Sequence, residues 1–228
     1  MVDATGTDMS AGKASVARGR AGLAGGPRQA PRTPCFTDGT LVATDKGLVA
    51  IENLQPGDRV LTRDSGYRAI MWIGSRKFDA DELSLYAELQ PVVIEKGALG
   101  ADTPSRTTRV SPHHRMLLSG EAARAIGGES EILVAAKELT FRPGIRQGGQ
   151  PTVTYFHIMF DDHEVIHADG CWSESFLPEA SDLDQMSRAQ RQEILAVFPE
   201  LALDEYITSY APARLCIDSA AMVRKLAA

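Results

Sequence analysis

Cysteine is scarce in this chain, with only Cys35, Cys171 and Cys216 among 228 residues. An odd, low count argues against a disulfide framework and leaves at least one thiol free. The three also lack the paired CxxC spacing of a structural zinc site, and a free thiol points weakly to a reducing compartment. No apolar run is long enough to span a bilayer. No apolar stretch follows the N-terminal charges, so a cleavable secretory signal is not expected. The default expectation is a cytoplasmic protein, with leaderless export open. An excess of positive charge is missing too, and the net charge of −6 argues against a general nucleic-acid binder. The balance, 43% hydrophobic and 24% charged, is that of a soluble globular protein. The length suits one ordinary domain plus a smaller appendage.

The charge is uneven. Residues 1–34 carry five Lys/Arg against two Asp, a surplus of +3 that leaves −9 on the rest. This stretch is rich in Ala, Gly, Arg, Ser and Thr, with almost no large apolar side chain, and reads as a disordered leader. As a basic tail on an acidic body it could also attract anionic partners. It ends in Pro31-Arg32-Thr33-Pro34. Proline removes donors and extends its predecessor, so the fold is expected to begin at Cys35. From there to about Phe176 the pattern is β. Short strands are predicted at Thr40–Thr44, Leu48–Ile51, Arg59–Thr62, Tyr67–Gly74, Pro91–Glu95, Thr107–Ser111, Arg115–Leu118, Glu131–Ala135, Thr152–Phe160 and Glu164–Ala168. Turn signals such as Asp45-Lys46-Gly47, Pro56-Gly57-Asp58 and Asp64-Ser65-Gly66 separate several of them. The fold class is therefore mainly β. After Pro178 the character becomes helical. Ser187 with Gln190 forms a capping-box pattern, Ile194, Leu195, Val197 and Phe198 follow at helical spacing, and Pro199 should end that helix. A second helix is predicted around Ala213–Leu226. The expected organisation is a leader at 1–34, a β domain at 35–178 and a small helical C-terminal extension at 179–228. There is no internal repeat.

Three features could carry chemistry. A thiol at the first residue of a domain can attack the carbonyl of the residue before it. Here Cys35 Sγ would attack Pro34 through a five-membered ring, turning an amide into a thioester. Because the amide is the more stable form, catalysis needs an activated thiol, donors for the oxyanion and an acid for the departing nitrogen. Read by itself, Cys35 is a small buried hydrophobe. The second feature is Val110-Ser111-Pro112-His113-His114. Adjacent histidines on a strand face opposite ways, while Ser111 and His114 can meet across a proline-shaped turn, and an imidazole can hold and then protonate the Cys35 nitrogen. Read by themselves these residues are a turn with a self-bonded hydroxyl and exposed histidines. The third is His163-Glu164-Val165-Ile166-His167, an HExxH match. Two histidines four apart bind one zinc only on a helix. This segment is β-like, which would set them roughly 13 Å apart.

Together these residues resemble a family. Cys35-Phe36-Thr37-Asp38-Gly39-Thr40, Gly47, Ile51-Glu52-Asn53-Leu54 and Pro56-Gly57-Asp58-Arg59-Val60-Leu61 resemble the first block of Hedgehog/intein (Hint) domains. Ser111-Pro112-His113-His114-Arg115 looks like the second block, with Ser111 for the usual Thr and His114 at the histidine that assists the acyl shift. Thr152–Gly170 looks like the penultimate block, with Phe156-His157 where inteins carry Tyr-Asp and His163 at the later histidine. With Trp72-Ile73-Gly74 and Ser173-Glu174-Ser175-Phe176, the pattern over about residues 34–178 is most similar to a bacterial Hint subfamily. The resemblance implies a twisted, pseudo-twofold horseshoe of β-strands with a small helical appendage.

It also implies autoprocessing. Cys35 attacks the Pro34 carbonyl, His114 serves the Cys35 nitrogen, Ser111 and the neighbourhood of Thr40 position the bond or oxyanion, and His163 and His157 are candidates for second-step proton transfer. Water or an external nucleophile then takes the thioester, so the substrate is the chain's own N-terminal segment. No metal or organic cofactor is expected, and neither is a membrane span or a nucleic-acid partner; a protein partner is open. Splicing is not expected, because it ends in cyclisation of an asparagine and Asn53 is the sole asparagine. Two alternatives stand beside this reading. One is a processing-inactive Hint fold used as a binding or structural module, favoured by the ring of Pro34, which stiffens and crowds the scissile carbonyl. The other is a zinc hydrolase built on His163 and His167.

Overall fold

The computed structural model describes residues 34–178, 183–184, 186–202 and 210–223. The disordered-leader expectation falls on residues 1–33, outside the described residues. In chain order the strands are β1 (Phe36–Thr37), β2 (Leu41–Thr44), β3 (Gly47–Ala50), β4 (Arg59–Leu61), β5 (Tyr67–Ala69), β6 (Trp72–Phe78), β7 (Val92–Ile94), β8 (Thr108–Val110), β9 (Arg115–Ser119), β10 (Glu131–Ala135), β11 (Ile145–Gln147), β12 (Val153–Met159), β13 (Val165–Ala168), β14 (Cys171–Glu174) and β15 (Leu215–Ile217). The helices are short: α1 (Ala80–Leu85), α2 (Glu121–Gly127), α3 (Arg188–Val197) and α4 (Ala220–Val223). The protein is thus mainly β, as its closely spaced strand and turn signals predict.

The strands form two open sheets. One runs β11-β7-β8-β1-β12-β6. The other runs β15-β10-β9-β14-β13-β2-β4-β5, with β3 paired on β2. The largest apolar cluster draws on both, including Phe36, Val110 and Ile158 from the first and Val42, Met116, Ile132 and Ile166 from the second. The predicted strand Tyr67–Gly74 is in fact two. At Ile70-Met71 the chain changes sheets, because Ile70 N donates to Asp58 O and Met71 N to Met159 O, both at 2.9 Å. The Ser187 capping box forms with both of its bonds, and α3 ends at Phe198, just before Pro199. Of the helix predicted around Ala213–Leu226, residues 213–223 are described: there β15 takes Leu215–Ile217 and only Ala220–Val223 is helical. Leu215, Cys216 and Ile217 pair in parallel with Ile132, Leu133 and Val134 of β10. An open sheet edge that offers a ladder outweighs local helix propensity.

Candidate active site

Strand register builds the site. β1 is short and lies between β8 and β12, with Phe36 opposite both Val110 and Phe156. Extending an antiparallel ladder by one residue places Cys35 opposite Ser111 on one side and His157 on the other. The bonds follow that register. Ser111 N donates to Cys35 O at 2.9 Å, and Cys35 N donates to Ser111 Oγ at 2.9 Å. On the other side, Cys35 Sγ lies 3.3 Å from His157 Nδ1 and 3.5 Å from its Nε2. The same Nδ1 is 2.9 Å from the Pro34 carbonyl oxygen. The thiol, the preceding carbonyl and one imidazole thus meet at a single point. Cys35 is buried beside Phe78, Leu89 and Tyr155, in a cavity whose outer wall includes Arg76, Met186 and Gln190.

Packing fixes the His157 ring. It stacks on Trp72 at 6.3 Å between centroids and lies against Phe176 at 5.3 Å. His157 pairs across the sheet with Gly74 of β6. A Cβ at Gly74 would fall 2.3 Å from the Trp72 ring, so only glycine lets that indole fold over the strand towards His157. Burial pushes the His157 imidazole down to about 4, against the smaller upward pull of its bond to Pro34 O; the ring is neutral at pH 7. A neutral imidazole carries one proton. Two acceptors cannot share a contact of 2.9 Å, so the proton sits on Nδ1 and is donated to the carbonyl. Nε2 is left as the acceptor for the thiol.

His114 takes a different place. Its ring is buried edge-on to Phe36 at 4.3 Å, and among the described residues neither ring nitrogen has a hydrogen-bond partner. Burial pushes it down to about 4, partly offset by the charge of Glu174. The Cys35 nitrogen is held by Ser111 Oγ. Thr40 is buried, and its hydroxyl has no hydrogen-bond partner among the described residues. His163 does not reach Cys35. Its Nδ1 accepts from Ala213 N at 2.9 Å, and its Nε2 lies 3.6 Å from Glu174 Oε2. The HExxH stretch is not helical: His163 precedes β13, and His167 lies on β13 opposite Trp172.

Three charged residues, Glu174, Arg115 and Asp218, have no role in the sequence reading, where the first two stand only within matched motifs. Glu174 is fully buried; its Oε1 accepts from Arg115 N at 2.7 Å and its Oε2 from Arg115 Nη1 at 3.0 Å. The other edge of the Arg115 guanidinium donates to both oxygens of Asp218, at 2.8 and 2.7 Å. Burial works against the charge on Arg115, but Asp218 and Glu174 hold its guanidinium well above the usual range. A signal existed: Arg115 and Glu174 each sit in a run of strand-forming residues, and a charge there must be paired if it is buried.

Residues 34–180 match the family described as Hint domain. The chain belongs to the Hint domain family. Solved structures similar to this Hint domain include the gp41-1 intein, at 13% identity and a TM-score of 0.37 over 61% of this chain and 97% of that one. An intein-like domain from Clostridium thermocellum is 14% identical, with a TM-score of 0.37 over 62% of this chain and 97% of that one. The Ssp DnaB mini-intein variant M86 is 10% identical, with a TM-score of 0.40 over 67% and 99%. No curated protein matches the chain. Among the described residues no helix is long and apolar enough to cross a membrane.

Proposed function

We propose that this Hint domain cleaves the Pro34–Cys35 peptide bond by an N–S acyl shift followed by thioester hydrolysis or transfer, without splicing. The observation that carries the reading is the position of His157, with Nδ1 2.9 Å from the scissile oxygen and both ring nitrogens within 3.5 Å of the thiol. The thiol gives its proton to Nε2, and Sγ bonds to the Pro34 carbonyl carbon. The negative charge that develops on oxygen is met by the Nδ1–H donor already in place. The C–N bond then breaks, and the Cys35 nitrogen, with Ser111 Oγ at hydrogen-bond distance, leaves as an amine carrying the proton that the thiol gave to His157, with His114 as the second imidazole through which that proton can pass; His157 is neutral again. Water or an external nucleophile takes the thioester, regenerates the thiol and frees the segment ending at Pro34. Donor and base are preset by packing, so little reorganisation is needed at the moment of attack.

The test is intact mass. Wild type and Cys35→Ala are incubated with and without dithiothreitol or hydroxylamine. The expected result is a fragment beginning at Cys35, faster with nucleophile and absent from the variant. A wild-type chain that stays whole under both nucleophiles defeats the reading and favours an inactive Hint fold used as a binding module.

A further inference from the structure

The family match ends at residue 180, but the polar contacts behind the site do not. Tyr210 Oη donates to Phe160 O at 2.9 Å. Ala213 N donates to His163 Nδ1 at 2.9 Å. β15 then joins the sheet at β10, next to β9 and Arg115, and Asp218 grips the Arg115 guanidinium from its outer edge. These contacts close a circuit: Ala213 to His163, His163 towards Glu174, Glu174 to Arg115, Arg115 to Asp218, and back along β15 to Ala213.

The circuit dictates a tautomer. A backbone N–H can only donate, so the Nδ1 it meets must be the bare nitrogen of the ring. A ring proton therefore sits on Nε2, 3.6 Å from Glu174 Oε2 and without a hydrogen-bond partner among the described residues; on Nδ1 it would face the Ala213 N–H across 2.9 Å. The charged and titratable groups facing this ring from neighbouring elements are Glu174 of β14, Arg115 of β9 and His114 just ahead of β9. Glu174 in turn accepts from the Arg115 backbone nitrogen, which fixes the peptide joining Arg115 to His114. His114 keeps both ring nitrogens unbonded among the described residues.

We propose that residues 210–218 are a positioning arm of this site. The Ala213 N–H locks His163 in the tautomer with its proton on Nε2, the nitrogen 3.6 Å from Glu174, and Asp218 holds Arg115 on Glu174. His114, and not His163, is then the imidazole left to move a proton. That last clause rests on the acyl-shift reading; the lock itself does not. His163 is accordingly a positioning residue.

The test reads the lock directly. The full chain with Cys35→Ala, which stays whole, is labelled with 15N-histidine, and its five imidazoles are observed by long-range 1H–15N NMR at pH 7. The expected spectrum shows His163 as one tautomer, bare at Nδ1. Ala213→Gly keeps the N–H and should reproduce it. Ala213→Pro removes the N–H and should shift the Nδ1 resonance towards a mixture of tautomers. The proposal is overturned if His163 in the Cys35→Ala chain carries its proton on Nδ1. It is also overturned if a folded Ala213→Pro chain gives an unchanged His163. If Ala213→Pro does not fold, the Cys35→Ala spectrum decides alone. None of these outcomes depends on cleavage, so a failed acyl shift and a failed lock are distinguishable.

Discussion

Replacing His157 by phenylalanine should separate the chemistry of the site from its acid sensitivity. The phenyl ring keeps the packing between Trp72 and Phe176 but has neither donor nor acceptor. Losing an oxyanion donor costs about 10²–10³ in rate, and losing a general base about 10²–10⁴. Cleavage should therefore fall at least about 100-fold in the dithiothreitol assay. At pH 7 the Pro34 carbonyl loses its partner, at about 1–3 kcal/mol. Acid should reverse the comparison. His157 is held down to about 4 in the fold, whereas the unfolded chain binds a proton at about 6.5. The depressed group contributes stability that is intact above the unfolded value and is lost as the pH falls towards the folded one. The loss for wild type is about 2 kcal/mol by pH 5 and about 3 kcal/mol by pH 4. The variant should lack this part of the slope. Urea unfolding at pH 7, 5 and 4, both chains carrying Cys35→Ala, measures it. If His157→Phe shows the full wild-type slope, His157 is not the neutral, buried ring described, and the assignment of its proton to Nδ1 fails with it.

Three further outcomes follow from named contacts. Gly74→Ala should cost about 1–3 kcal/mol by overpacking, because its Cβ meets the Trp72 ring at 2.3 Å; thermal melts should show partial recovery when Trp72→Leu is added. Glu174→Ala takes the buried carboxylate from the buried Arg115 guanidinium and should cost about 3–5 kcal/mol by urea unfolding, whereas Arg115→Met with Glu174→Leu should cost much less, since it removes both charges. Ser111→Ala strips the Cys35 N–H of its acceptor and should slow thioester formation and cost about 1–3 kcal/mol; Ser111→Thr, which keeps the hydroxyl, should retain cleavage by intact mass.

Much of the β framework is legible in the sequence because each strand is local and punctuated. Glu131–Ala135 is bounded as observed, and the hydroxyl-to-amide cap of Ser187 can be read from four residues. The capping box of α1, Asp79 with Glu82, carries the same signal and went unread because only one apolar side chain of that helix, Leu83, is buried behind it. The parts that stay hidden depend on long-range pairing. β15 is an edge strand that exists because β10 offers it a partner. The position of His157 on the Pro34 carbonyl oxygen depends on β1 lying between β8 and β12, which join residues more than 70 and 120 positions apart. The motif order suggested a later role for that histidine; the register places its ring against the Pro34 carbonyl and the Cys35 thiol.

Burial also constrains how protons can move if the acyl shift runs here. His114 and His157 are neutral because the fold has removed water from them, and a dry site penalises any step that leaves a net charge unmet. The thiol proton cannot be lost to solvent at low cost; it must pass to a base that touches the thiol, and His157 does. The imidazolium so formed faces the oxyanion across 2.9 Å, so attack separates no charge over distance. The nitrogen side needs a proton in the same dry interior, and His114 lies beside Glu174, the buried carboxylate whose charge favours protonation of that ring. Glu174 can play that part because Asp218 occupies the outer edge of Arg115.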